Sequence, residues 1–215
     1  MTVRRAGDLS TALLNLPVGA TVGVRGPYGR GFPLSDLAQP TIYVAGGCGL
    51  AALKAAIDLH VATRPFATDI AVVYGARTPD ARVLRSALEA WRYAENVLVL
   101  ECVEEADDAW PGRRGTVVDH LPDALARVRP TRAAICGPAA MLRPTAETLV
   151  RAGIDASNVH LVVERSMECP SGAGGHGDVH HSTPCTDGPV SSYAELRWLP
   201  DAFGRQPGSG VALAR

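Results

Sequence analysis

No stretch of this 215-residue chain stays apolar for the ~18 residues that a membrane-spanning helix needs; charge or glycine interrupts every run first. The opening segment MTVRRAGDLSTALL has two arginines but no apolar core of signal-peptide type, so a cytoplasmic location is expected. Charge of one sign is missing too. The 21 basic and 22 acidic residues are mixed along the chain for a net charge of −1, which argues against a basic nucleic-acid stripe and against an acidic disordered tail. The five cysteines, Cys48, Cys102, Cys136, Cys169 and Cys185, are odd in number and widely spread, which speaks against a disulfide framework. Lysine is nearly absent: Lys54 stands alone, and no Tyr-x-x-x-Lys pair of a short-chain dehydrogenase exists.

What the sequence does have is core material, with 47% hydrophobic residues arranged in two alternating rhythms. Five β-type runs appear: Thr41–Ala45, Ile70–Tyr74, Val97–Leu100, Arg132–Ile135 and Val159–Val163. Segments with helical spacing lie between them. Leu50, Leu53, Ile57 and Val61 share one face, as do Leu84, Leu88 and Trp91, then Val118, Leu121, Leu125 and Val128, then Leu142, Ala146 and Leu149. Strands that alternate with amphipathic helices form parallel βαβ units, and right-handed crossovers make a doubly wound five-stranded α/β sheet the simplest topology. This nucleotide-binding type of domain is expected over residues 39–166. Residues 1–38 carry short β-type runs, Thr21–Val24 the clearest, punctuated by glycine and proline. Residues 167–196 form a loop rich in glycine, histidine and serine, and residues 197–215 a frayed tail.

Three glycine-bearing turns follow strands. Gly46-Gly47-Cys48-Gly49-Leu50-Ala51 sits between the first strand and the first helix, where bare backbone amides and a helix N-terminus suit a dinucleotide pyrophosphate. The spacing is not G-x-G-x-x-G, and a tight turn without a ligand is the alternative. Cys136-Gly137-Pro138-Ala139-Ala140-Met141 follows the fourth strand, on the same edge of the sheet. A small thiol before Gly-Pro admits a flat ring, although Cys136 is equally read as a buried structural thiol. Tyr74-Gly75-Ala76-Arg77-Thr78-Pro79 follows the second strand, where an adenosine ribose would lie. Arg77 there favours a 2′-phosphate and hence NADP, or else is a surface arginine before a helix.

A fourth segment runs from Met167-Glu168-Cys169 to Cys185-Thr186-Asp187-Gly188-Pro189-Val190. With it, six motifs stand in order: GPYGRGFPL, VAGGCGLAAL, YGARTP, ICGPAAM, VERSMEC and CTDGPV. Together they resemble the ferredoxin-NADP reductase-like electron-transfer subunits. The nearest branches are the gamma (diaphorase) subunit of sulfhydrogenase-type nickel–iron hydrogenases and the electron-transfer subunit of dihydroorotate dehydrogenase. The resemblance implies FAD in a small β-barrel, NAD(P) in the α/β domain, a 2Fe-2S cluster in the C-terminal loop, and electron flow to a partner subunit of a redox complex. It implies that Gly46, Gly47, Gly49 and Leu50 hold the pyrophosphate, with Arg77 and Thr78 on the adenosine side. It places Cys136, Gly137, Pro138, Met141 and Glu164 near the nicotinamide, Cys136 and Glu164 as the catalytic pair, and Gly7 and Ser10 at the FAD pyrophosphate.

Two departures from the family pattern carry consequences. The 38 residues before the α/β domain are too few for a closed flavin barrel, since a strand takes ~5–6 residues plus its turns. They read as a partial flavin-binding barrel that another polypeptide completes, or that truncation has compromised. In the C-terminal loop the four cluster positions are Cys169, Gly174, Gly177 and Cys185. Glycine offers no donor, so loss of the 2Fe-2S cluster is expected. His176, His180 and His181 lie in the same loop and, with Cys169 and Cys185, make a zinc site or a histidine-ligated cluster an alternative. The function implied is an oxidoreductase subunit passing reducing equivalents between NAD(P)H and FAD. A non-catalytic nucleotide-binding or assembly subunit is the rival.

Overall fold

A computed structural model describes residues 2–24, 26–33, 37–65, 68–163, 188–198 and 203. The expected run at Thr41 becomes β1 (Thr41–Gly46), buried along its whole length. On either side lie β2 (Ile70–Ala76) and β5 (Arg132–Cys136), both in parallel register with it. Adding β3 (Val97–Val103), β4 (Arg113–Arg114), β6 (Val159–Val162) and β7 (Val190–Ser192) gives a seven-stranded sheet in the order β4-β3-β2-β1-β5-β6-β7. The five expected strands form its parallel centre. The two extra strands are two and three residues long, and β7 pairs antiparallel with β6. Runs so short carry no periodicity, which is why the sequence hid them.

Both faces of the sheet are covered because its strands alternate between two cores. In β1, Ile42 and Val44 point to one core while Tyr43 and Ala45 point to the other; in β2, Ala71 and Val73 oppose Val72 and Tyr74. One layer holds α2 (Gly49–Thr63) and α3 (Arg85–Arg92), which bury Leu50, Leu53, Ile57, Leu88 and Trp91. The opposite layer holds α4 (Val117–Arg127) and α5 (Ala139–Arg151), with the short α6 (Tyr193–Leu196) beside them. Two expected helix faces need correction. Leu84 lies outside α3, as its left-handed N-cap at φ 54°. The buried face of α4 is Val117, Leu121, Ala124 and Val128, with Val118 and Leu125 only partly buried. The cause is Gly75 of β2: a methyl group there would lie 2.7 Å from Val117 Cγ1, so the missing side chain leaves a notch that Val117 fills.

The N-terminal residues are arranged differently from expectation. Thr21–Val24 forms no strand, and Val24 is exposed. A strand needs a neighbour to pair with, and among the described residues the only pairing before β1 is an isolated bridge between Arg30 and Pro189. The segment instead holds a short helix, α1 (Asp8–Leu14), with no buried residue.

The linker into β1 is clasped to the sheet by a buried relay. Tyr43 Oη lies 2.9 Å from His60 Nδ1 in α2, and His60 Nε2 lies 2.9 Å from the carbonyl of Leu37. A carbonyl only accepts, so Nε2 carries the proton and Nδ1 accepts from the tyrosine hydroxyl. Burial pushes the His60 pKa below its ordinary value; Arg64 and Arg132 act the same way, and the Leu37 carbonyl acts against them. His160 is depressed as well, chiefly by burial. A histidine depressed in the fold takes up a proton more readily when unfolded, so stability is full above about pH 6.5 and falls below it. Urea unfolding between about pH 7.5 and 5.5 should therefore show stability dropping with acid, with a shallower drop in His60→Gln. An equal slope in the variant would contradict the buried neutral histidine.

Candidate nucleotide-binding edge

The carboxyl ends of β1 and β5 are neighbours: Ala45 pairs with Cys136. From there the chain turns into helices on opposite layers, α2 after β1 and α5 after β5. The strand order reverses at this point, which is where an open parallel sheet is expected to offer a ligand crevice, between the two turns.

Glycine sets how closely the turns approach. A methyl group at Gly46 would lie 2.7 Å from Met141 Sδ and 2.8 Å from Pro138 Cδ. At Gly49 it would strike the Cys136 carbonyl and lie 2.9 Å from the Gly137 nitrogen. At Gly137 it would meet Met141 Cε at 2.6 Å and the Gly46 nitrogen at 3.0 Å. These three glycines therefore hold the turns against each other. Gly47 differs: its φ is +52° and nothing lies within 4 Å of an added Cβ, so it borders open space.

The amides divide similarly. Gly47 N–H donates to the Gly75 carbonyl at 2.8 Å, Leu50 N–H to Gly47, and Ala51 N–H to Cys48. That leaves the Cys48 and Gly49 amides as the donors at the head of the 15-residue α2, whose first turn holds no acidic residue. Leu50 is fully buried and offers its side chain to the core alone. Across the crevice Pro138 caps α5, whose first turn is also free of acids, and Met141 packs over both Gly46 and Gly137. Cys136 is buried with its side chain in the α2 layer, so its backbone rather than its thiol meets the turn.

The edge beyond β2 and β3 is built on a braced loop. Tyr74 Oη accepts from Val83 N–H at 2.9 Å, and Thr78 caps the 3₁₀ turn Pro79–Ala81. Arg82 pairs with Glu101 at 3.0 Å and lies 4.6 Å over the Trp110 ring. Between this loop and the end of β3 runs a groove of about 640 Å³, lined by Thr78, Pro79 and Asp80 on one side and Glu105, Asp107 and Trp110 on the other. Arg77 stands at its rim, with Nε 3.1 Å from Glu105 Oε1. Sequence reading missed Glu105 and Trp110, because in an acidic run they look like solvated surface.

Of the remaining candidates, Gly7 and Ser10 belong to the cap of α1. Ser10 Oγ accepts from the Ala6 and Gly7 amides and donates to the Gly7 carbonyl, so its hydroxyl is spent on capping α1. Glu164, Cys169, His176, His180, His181 and Cys185 lie outside the described residues. Among the described residues no three His, Cys, Asp or Glu side chains gather as a metal site, and no helix is long and apolar enough to cross a membrane.

Comparison with known proteins agrees with this geometry. Residues 43–147 match the oxidoreductase NAD-binding domain. The chain is 33% identical to the sulfhydrogenase 1 gamma subunit of Pyrococcus furiosus, over 91% of this chain and 70% of that protein. It is 31% identical to the probable electron transfer subunit of dihydroorotate dehydrogenase B (NAD(+)) of Archaeoglobus fulgidus, over 92% and 78%. Among solved structures it resembles the cytochrome b5 reductase domain of Ulva prolifera nitrate reductase, at 26% identity and a TM-score of 0.60, over 72% of this chain and 65% of that one. An NADH-dependent reduced ferredoxin-NADP oxidoreductase shares the fold at 23% identity and a TM-score of 0.65, over 90% and 66%. The chain thus spans about two thirds of the length of these two solved structures.

The two kinds of glycine should separate on mutation. Gly49→Ala forces backbone against backbone, which no rotamer relieves, and should cost more than about 2 kcal/mol in denaturant unfolding. Gly47→Ala pays only for a left-handed backbone, about 1 kcal/mol. The reverse order would contradict the packing described.

Proposed function

The chain belongs to the ferredoxin reductase-like family of electron-transfer subunits, and on that premise we propose that it binds NAD(P)H at the β1/β5 crevice and passes reducing equivalents to FAD within a redox complex. The observation that supports this best is the pair of glycine-locked turns at the strand-order reversal, with the Cys48 and Gly49 amides at the head of α2. The pyrophosphate would take those amides and the field of the helix. The Gly137-Pro138 turn, screened by Met141, would seat the nicotinamide, and Thr78 with the loop after β2 would meet the adenosine.

When bound, the cofactors would supply the redox chemistry, hydride transfer between nicotinamide and flavin. This chain's residues bind and orient. The glycine turns would fix the depth of the dinucleotide, with the Cys136 backbone at the floor between them. A positioned acid or base is not required.

Of the residues expected at FAD, Ser10 has its hydroxyl already committed to the α1 cap. The 2Fe-2S cluster fits poorly, because two of its four expected donor positions, Gly174 and Gly177, hold no ligand atom. A partner polypeptide is supported by apolar surface on the N-terminal segment. Leu9, Val18 and Val24 are 77%, 108% and 85% exposed, and Leu14, Leu16 and Tyr28 are exposed as well. Both relatives are themselves named as subunits.

Isolated from its own cell with its accompanying polypeptides, the protein should show a visible flavin band that NADH or NADPH bleaches without air. A colourless preparation that still binds the nucleotide would instead favour the nucleotide-binding or assembly subunit.

A further inference from the structure

We infer that this chain selects NADH over NADPH, and that Glu105 sets the preference by holding Arg77 away from a 2′-phosphate. The inference rests on the nucleotide-binding edge proposed above and adds to it the identity of the dinucleotide. The adenosine ribose of a doubly wound domain lies beyond the second strand, where an acidic residue favours the free 2′-hydroxyl and an arginine favours the phosphate. This chain has both, and they are bound to each other.

Their pairing is built into the sheet edge. Glu105 N–H donates to the Arg77 carbonyl at 2.8 Å, and Glu104 N–H donates to the Ala76 carbonyl at 3.1 Å. The ends of β2 and β3 are thereby tied, which carries the Glu105 carboxylate to 3.1 Å from Arg77 Nε. The other arginines around the groove are engaged too. Arg82 is held by Glu101 and stacks on Trp110, Arg85 lies 3.7 Å from Asp80, and Arg114 donates to the carbonyls of Ala106 and Asp107.

Three carboxylates line the groove, Asp80, Glu105 and Asp107; Glu105 is held by Arg77, Asp80 lies near Arg85, and no arginine is among the lining residues. A 2′-phosphate brings a charge of roughly −1.5 to −2 at neutral pH, must displace Glu105 from Arg77, and would still face the other two carboxylates. A ribose with free hydroxyls donates to those carboxylates and displaces nothing. Arg77 and Glu105 are 75% and 60% exposed, so the discrimination is moderate and weakens with salt.

The test is calorimetric titration of the full chain with NADH and with NADPH at low ionic strength. The wild type should bind NADH about tenfold more tightly. Glu105→Gln, an exposed substitution that leaves the core intact, should narrow that ratio about fivefold, and Glu105→Gln/Arg77→Ala should restore it, because the freed arginine is what gains the phosphate. Equal or tighter NADPH binding in the wild type, or an unchanged ratio in Glu105→Gln, overturns the inference. Binding of neither nucleotide has a different meaning: it overturns the nucleotide-binding reading on which the selectivity stands.

Discussion

The site depends on one constraint: the turns after β1 and β5 must pack backbone against backbone. Their strands are adjacent and in register, with Ala45 beside Cys136, so the chain leaves the sheet twice from nearly the same place. Any side chain at Gly46, Gly49 or Gly137 would fill the space that the other turn occupies. With the turns locked, α2 and α5 diverge into opposite layers and their N-termini border one crevice. An anion bound there would meet peptide dipoles that the fold has already oriented, leaving little ordering cost for binding.

The same economy shapes the edge beyond β2 and β3. Tyr74 is a core residue of β2, yet its hydroxyl pins the loop after that strand at Val83, and Arg82 ties the loop to Glu101 and Trp110. The groove is thus held by core and loop contacts together, and its acidic lining is fixed before any ligand arrives. At the opposite edge of the sheet the Tyr43–His60–Leu37 relay anchors the incoming linker, which keeps β1 in place beneath the turn it feeds.

Much of this was legible in the sequence, for physical reasons. Long buried strands and amphipathic helices advertise themselves by period, so the five central strands and the faces of α2 and α5 were readable. Glycines at strand ends marked the crevice, although sequence could not tell Gly46 and Gly49, which serve packing, from Gly47, which borders open space. The α4 face was misread by one step because the notch at Gly75 that captures Val117 is a tertiary feature. β4 and β7 were invisible because pairing, not pattern, defines them. Thr21–Val24 shows the converse: β-branched residues without a neighbouring strand make no sheet. Arg77, read as a candidate phosphate ligand, pairs with Glu105, a partner 28 positions away that the sequence could not show.

The most direct measurement is a titration of the isotopically labelled protein with NADH, following backbone amide resonances by NMR. The largest shifts are expected at Cys48, Gly49 and Gly137, with smaller ones at Thr78 and the Trp110 indole, and little change at His60 and His160 on the far edge. Shifts concentrated on that far edge, or none at all on well-folded protein, would contradict a dinucleotide held by the glycine-locked turns.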